Sequence, residues 1–305
     1  MGRRTEKITR EKKLQASGFL PGRGVYRKNK PMKSTMYYLF ISLIMTVLTG
    51  CKSDDDQTVQ NPEVVSEGVM IKAMSYNIYS GQLKGIPAIA EVINKADPDI
   101  VGLQEVESVS GKVPFDVVDR FLELTDMEYA YYARTHDLNP GEYGNLILSK
   151  YPVKKGVTHQ LGVLVEEGSY PRVIGIVEVE KEGKTFYFAD THLDHLSDDT
   201  NRNHQVGKIL EYTSGLDAPM IMAGDFNALQ GSDPLNSLLQ TFTLGCIEGN
   251  CGLTTGTPQP SKAIDYLMYA PEGRITPVEY GVFYDAFSES DHFPVVATFV
   301  MHDSQ

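Results

Sequence analysis

Apolar and polar positions along the chain fall into two regimes. At the front, runs of strand length alternate with amphipathic stretches at helical spacing. VMIKAMSYNIY, residues 69–79, alternates and places Asn77 after a first strand. In GIPAIAEVINKA, Ile86, Ile89, Ala90 and Ile93 recur on one helical face, and Asp97-Pro98-Asp99 breaks that helix. IVGLQEV reads as a second strand with Gln104 and Glu105 at its far end. Residues 114–128, with Phe115, Val118, Phe121 and Leu122 on one face, predict a second helix, and MEYAYYART a third strand leading into the loop HDLNPGEYG.

Beyond that loop the period changes. NLILSKYPV, HQLGVLVE, PRVIGIVEVE and KTFYFADTHLD are short β-like runs, the last two joined as a hairpin across Lys-Glu-Gly-Lys. The polar DHLSDDTNRNHQ opens a helix whose body is VGKILEYTSG. PMIMAGDFN, residues 219–227, is an apolar run of buried-strand character that delivers Asp225 and Asn227 to one side at its exit, with Phe226 turned into the core. Leu235, Leu238 and Leu239 suggest a short helix, a low-periodicity loop follows from Gly245 to Lys262, and AIDYLMYA and DHFPVVATFV close the chain. No internal repeat or linker divides residues 69–300, so one domain is expected. Helix–strand alternation followed by hairpins argues for two packed sheets flanked by helices.

The N-terminal part has a different character. Residues 1–31 are basic and aperiodic, and no packed core is expected there. YYLFISLIMTVL fits the apolar region of a signal peptide and is short for a bilayer span. It ends in Leu48-Thr49-Gly50-Cys51, which resembles a bacterial lipobox; the resemblance implies lipidation of Cys51 as the first mature residue. The competing reading is a short transmembrane anchor with an incidental cysteine. The acidic, polar segment that follows has the composition of a tether and resembles the charged motif of surface-exposed lipoproteins of Bacteroidetes-type bacteria. The expected organisation is therefore a basic extension and signal peptide over 1–50, a tether over 51–68 and a folded domain over 69–305. Of the remaining cysteines, Cys246 and Cys251 either close a small loop disulfide in an oxidising compartment or stay as two thiols.

Charge sharpens the picture. The formal net charge is -12, but residues 1–50 carry 11 basic against 2 acidic side chains, leaving 17 against 38 in the remainder. An acidic body lacks the basic footprint on which nucleic-acid affinity rests, which weighs against that substrate without removing it.

Potential ligands or catalysts recur where apolar strands end: Asn77, Glu105, Asp190 with His192, Asp225 with Asn227, Asp265, and Asp291 with His292. Singly, each is ordinary turn chemistry or a loop hydrogen bond. Together, so many acids need a cation or protonation to coexist.

SYNI (75–78), LQEV (103–106), YGNLILSKYP (143–152), THLDH (191–195), GDFN (224–227), IDYL (264–267) and SDHFPV (290–295) resemble the endonuclease/exonuclease/phosphatase superfamily, the DNase I-like metallohydrolases. The resemblance spans roughly residues 69–300. It implies an α/β fold, a four-layer αββα sandwich of two mixed sheets, and hydrolysis of a phosphate mono- or diester. Glu105 is implied as the principal ligand of Mg²⁺ or Mn²⁺, with Asp291 and Asn77 completing the site. Asp225 would orient or deprotonate the attacking water and Asn227 would hold it. His292, held by Asp265, and His192 would meet the phosphate.

Arg172, Arg202 and Asn145 are expected to bind substrate phosphate, with surface charge as the plainer reading of the two arginines. Tyr143 either contacts substrate or packs, and Asp194 and His195 either cap or link the segment that follows. The expected partners are a phosphoester and, through Cys51, a membrane, with the chain a monomer at the cell envelope, in the outer membrane and facing the periplasm or the surface. A phosphodiester or small phosphoester outside the cytoplasm is the expected substrate, a secreted or surface DNA or RNA nuclease the alternative, and a catalytically silent binding lipoprotein a third.

Overall fold

The computed structural model describes residues 23–28 and 68–302. Cys51 and the acidic segment after it lie outside the described residues. The strands are β1 (Arg23–Arg27), β2 (Val69–Asn77), β3 (Ile100–Ser108), β4 (Tyr129–Asp137), β5 (Glu142–Ser149), β6 (Val153–Gln160), β7 (Val173–Lys181), β8 (Lys184–His192), β9 (Met220–Asp225), β10 (Thr243–Leu244), β11 (Asp265–Ala270), β12 (Ile275–Val282) and β13 (Val295–Met301). The α-helices are α1 (Gly85–Ala96), α2 (Val117–Leu124), α3 (Thr200–Thr213) and α4 (Asp233–Leu238).

Seven strands form one sheet in the order β1-β4-β5-β3-β2-β13-β12, and six form the other in the order β10-β11-β9-β8-β7-β6. Both are mixed. β2–β3 and β8–β9 are the parallel pairs, each bridged by a helix, α1 and α3 respectively, and the other pairs are antiparallel. Three apolar layers hold the stack together. Ile71, Ala73, Ile147, Val177, Phe188, Ile221 and Leu267 fill the space between the sheets. Ile89, Ile93, Val118 and Phe121 of α1 and α2 cover the outer face of the first sheet, and Val206, Ile209, Leu235 and Leu238 of α3 and α4 cover that of the second. This is the expected four-layer αββα sandwich.

Small residues bring the two sheets close near the site. A Cβ on Gly175 would stand 2.7 Å from that of Ala133, and one on Gly102 would stand 2.5 Å from an Asp190 carboxylate oxygen. Side-chain alternation holds through the core strands, so that Phe226 is fully buried while Asp225 and Asn227 share the other side.

Several expectations need correction. Arg23–Arg27 pairs antiparallel with β4 and Tyr26 packs against the core, although this stretch lies in the segment expected to hold no core. An edge strand needs backbone pairing more than a periodic pattern. HQLGVLVE is not a strand beyond Gln160; the strand is Val153–Gln160, and Leu164 is 62% exposed. Phe115 precedes α2 and is 39% exposed, because Asp116 caps the helix by accepting from the backbone N–H groups of Val118 and Asp119. β12 was hidden from the sequence reading: its outward positions are polar or exposed and it contains Pro277, as an edge strand tolerates. Cys246 and Cys251 are joined as a disulfide.

Candidate active site

The parallel crossovers and antiparallel neighbours put the polar strand ends at one end of the sandwich. β2 ends at Asn77, β8 at His192 and β9 at Asp225; Asp225 is opposite Asp265, the first residue of β11. Asp291 and His292 precede β13, whose Val295 pairs with Ser75 of β2. Glu105 reaches the same place by a different device. The β3–β5 register shifts between Leu103 and Val106, and Glu105 sits in that bulge with φ +57°. The left-handed backbone of a non-glycine residue there re-aims the carboxylate out of the sheet, a cost that a functional position tolerates.

Asn77 knits the site together. Its Nδ2 donates to Glu105 Oε1 at 3.1 Å and to Asp225 Oδ2 at 3.0 Å, while its Oδ1 accepts from the Tyr79 N–H at 3.1 Å. With that oxygen engaged, Asn77 acts here as an orienting amide more than as a metal ligand. The other oxygen of Asp225 accepts from the Asn227 N–H at 3.0 Å. The Asn227 amide contacts His192 Nε2 and donates to the Leu193 carbonyl, both at 3.2 Å. His292 Nδ1 lies 2.9 Å from Asp265 Oδ2, which also accepts from the Thr254 hydroxyl at 2.6 Å. The Nε2 atoms of His192 and His292 stand 3.5 Å and 3.9 Å from Asp225 Oδ2.

Burial and mutual charge divide these groups. Burial raises the pKa of Asp225, and Asp265 adds to the effect. Burial also raises Glu105; the Asn77 hydrogen bond opposes the shift and the Asp291 charge reinforces it. The two histidines part company. Burial drives His192 well down, with Arg172 and His292 adding to it, so its imidazole is neutral. In His292 burial pulls the same way, but Asp265, Asp225 and Asp291 outweigh it and raise the pKa, leaving a cation. Two environments thus give one residue type two roles.

The groups open into a cavity of about 550 Å³ lined by Glu105, His192, Asp225, Asn227, His292 and Arg172, among others. Arg172 is buried and its Nε has no hydrogen-bond partner. An unpaired guanidinium nitrogen at a cavity wall suits an incoming anion. Asn145 shares the inward face of β5 with Tyr143 and Ile147, and its buried Nδ2 is likewise unpartnered, although the side chain does not line the cavity.

Arg202 is different and must be removed from the phosphate-binding set. Its guanidinium bonds Asp199, the Asp194 carbonyl and the Leu196 carbonyl, so it pins the loop after β8. Asp194 links that loop as well, through the Leu196 N–H and Asn201, whereas His195 reaches the cavity. Asp190 also stays out of the site. It is fully buried, accepts from Gln104 at 2.6 Å, and burial raises its pKa well above the ordinary range.

Two acid groupings compete as a place for a cation. Asp225, Asp265 and His292 bring their ligand atoms within 4.8 Å of one another. There, however, the His292 and Asp265 atoms are already spent on each other and on Thr254. Glu105 and Asp291 repel across a half-buried space with no basic side chain bonded to either carboxylate among the described residues, and both offer hard oxygen. Their chemistry fits Mg²⁺ or Mn²⁺ better.

The sequence reading missed Thr254, which holds Asp265, and Ser290, whose hydroxyl donates to the Asn77 carbonyl at 2.7 Å. It also passed over His136, Tyr170, Glu107 and Lys112 on the cavity wall. Ser290 stands inside the SDH motif; the others lie in loops or at a strand end with no distinguishing spacing.

Comparison with known proteins agrees with this geometry. Residues 74–292 match the Endonuclease/Exonuclease/phosphatase family, and the chain belongs to it. Its members are phosphoester hydrolases. No curated protein matches the chain. Among solved structures, an endonuclease/exonuclease/phosphatase from Beutenbergia cavernae is similar at 23% identity and TM-score 0.64, over 76% of this chain and 72% of that one. A mannosyl-6-phosphatase from Bacteroides thetaiotaomicron is similar at 19% identity and TM-score 0.61, over 76% of this chain and 100% of that one. The human Nocturnin catalytic domain with bound sulfate is similar at 19% identity and TM-score 0.59, over 78% and 95%. At these identities the likeness is one of fold.

Proposed function

We propose that this chain is a divalent-metal-dependent hydrolase of small phosphoesters working at the cell envelope. The carrying observation is the charge arrangement around one cavity: a buried carboxylate, Asp225, held at both oxygens and flanked by a neutral and a cationic histidine. Glu105 and Asp291 would hold Mg²⁺ or Mn²⁺. When bound, such an ion neutralises phosphate charge and acidifies water.

Asp225 is the base in this reading. It takes a proton from water as the water oxygen bonds to phosphorus and the ester P–O bond breaks, the departing oxygen leaving with the shared electron pair and acquiring a proton. The raised pKa of Asp225 suits it to accept that proton. His292 presents Nε2–H to a phosphate oxygen while Asp265 holds Nδ1, and Arg172 supplies a second charged donor. Neutral His192 carries no surplus proton of its own; an arriving phosphate raises its proton affinity and prepares it to serve the leaving oxygen. The acidic body favours a small substrate over nucleic acid.

The test uses the purified full chain on bis-p-nitrophenyl phosphate and p-nitrophenyl phosphate with Mg²⁺ or Mn²⁺. Hydrolysis is expected, abolished by EDTA and restored by the ion, and Asp225→Asn should lower kcat by about 10³-fold with the fold retained. Undiminished turnover in EDTA would overturn the metal dependence. Equal turnover by the Asn variant would overturn the role of Asp225.

The envelope location rests on the lipobox-like Leu48–Cys51 and the acidic segment after it. Cleavage before Cys51 would separate β1 from the rest of the chain and leave β4 as the sheet edge. Wild-type protein should partition into the detergent phase and Cys51→Ser into the aqueous phase. Identical partitioning refutes lipidation.

A further inference from the structure

Four rings on the cavity wall have no part in the chemistry described above. His136 of β4 stacks on Tyr143 of β5, with centroids 5.2 Å apart and planes inclined by 30°. Tyr170, in the loop before β7, stacks on His195, in the loop after β8, at 5.6 Å and 29°. All four line the cavity, and the first pair is borne by the seven-stranded sheet, the second by the six-stranded one. Each sheet thus contributes one ring pair to the mouth of a single cleft. Tyr170 is 57% exposed, far more than packing alone would leave it. Tyr143 is half-buried, and no hydrogen bond engages its hydroxyl among the described residues.

The polar groups beside the rings define what can lie there. Glu107 accepts from Lys112 at 2.9 Å and from Ser110 at 2.7 Å, and both Glu107 and Lys112 line the cavity. A carboxylate and an ammonium side by side match a pair of neighbouring hydroxyls, which donate to the one and accept from the other. They offer little to a second phosphate: Lys112 is already neutralised, and nearby Arg134 is tied to Asp137 at 2.8 Å. The volume of about 550 Å³ accommodates a phosphate and one ring.

We propose that the two His–Tyr pairs, with Glu107 and Lys112, form the leaving-group subsite, and that the leaving group is an uncharged sugar ring delivered as its phosphomonoester. The apolar C–H face of the sugar lies against a ring, and its hydroxyls meet the Glu107–Lys112 pair. This deepens the phosphoesterase reading and rests on it.

The experiment compares kcat/KM of the full chain, with Mg²⁺ or Mn²⁺, for hexose 6-phosphates, 5′-AMP, a short oligonucleotide and p-nitrophenyl phosphate. Hexose phosphates are expected to exceed the nucleotide and the oligonucleotide. Tyr170→Ala should lower kcat/KM for the hexose phosphate by about tenfold through KM, the worth of one ring contact, and should also weaken p-nitrophenyl phosphate, whose aromatic ring would share the subsite. Glu107→Gln removes an acceptor that only a hydroxyl-bearing leaving group uses, and should lower kcat/KM several-fold more for the hexose phosphate than for p-nitrophenyl phosphate. A preference for 5′-AMP or the oligonucleotide, or a Glu107→Gln loss equal on every substrate, overturns the subsite while leaving the hydrolase intact. No turnover of any ester, including p-nitrophenyl phosphate, overturns the hydrolase reading and the subsite with it.

Discussion

Strand β7 has a buried cation at each end, and the two are treated in opposite ways. At its far end Lys181 donates to Asp99 at 2.8 Å and to the Met70 carbonyl at 2.7 Å, and lies 4.7 Å from the Tyr151 ring centroid. Asp99 in turn accepts from the Lys72 N–H, so the whole group is matched. At the near end Arg172 is equally buried, yet its Nε has no hydrogen-bond partner. One sandwich therefore holds a completed polar cluster at one end and an uncompleted one at the other. A buried charge with its partners in place serves the fold; a buried charge left short of partners is kept for a ligand.

The contrast breaks most sharply at the arginines. Arg172→Ala should lower kcat/KM for phosphoesters by about 10²-fold with little change in melting temperature, because it removes a donor whose partner arrives with substrate. Arg202→Ala should do the reverse: a stability loss of about 2 kcal/mol in urea unfolding, since it strips a loop of charged hydrogen bonds, with near-normal turnover by the folded protein. If Arg202→Ala proved the more damaging to turnover at full folding, the division made here would be wrong.

At the far end the effect is expected on stability alone. Lys181→Met should cost about 2 kcal/mol, between the values for exposed and fully buried pairs, and leave activity unchanged. Burial pulls the Lys181 pKa down, but Asp99 outweighs it and raises the ammonium above the ordinary lysine range. A raised folded-state value means that the stabilisation is complete below pH about 10.4 and is lost as pH rises through the folded-state pKa. The gap between wild type and variant, followed by urea unfolding, should therefore narrow only in that alkaline window. Narrowing near neutrality would contradict the assignment.

Much of this was legible in the chain itself. The apolar run before Asp225, the helical spacing of Ile86 to Ile93 and the hairpin across Glu182-Gly183 are local patterns, and local patterns set the local elements. The motifs around Asn77, Glu105, His192, Asp225, Asp265 and His292 marked the polar residues that the structure gathers at one end of the sandwich for the same reason: each stands where a core strand meets a loop. Arg172 and Arg202 show where that legibility stops. Both sit beside a core element, both are buried, and no spacing distinguishes them. Only the surrounding loop reveals that one guanidinium is occupied and the other is not. Edge strands escaped notice for a related reason, since β1 and β12 are specified by a neighbour's free backbone and not by an alternating pattern of their own.

The sequence by itself determined the residue types of the chemistry, the strands that carry them and the αββα class, because these follow from periodicity and from the short motifs at strand ends. The tertiary structure alone decided which charges remain unpaired, which histidine is neutral and which cationic, and which rings from two different sheets face one cleft. Those properties depend on burial and on distances between residues far apart in the chain. His136 and Tyr170, separated by the strands β5 and β6 and the loops around them, acquire a common cavity only when the two sheets pack.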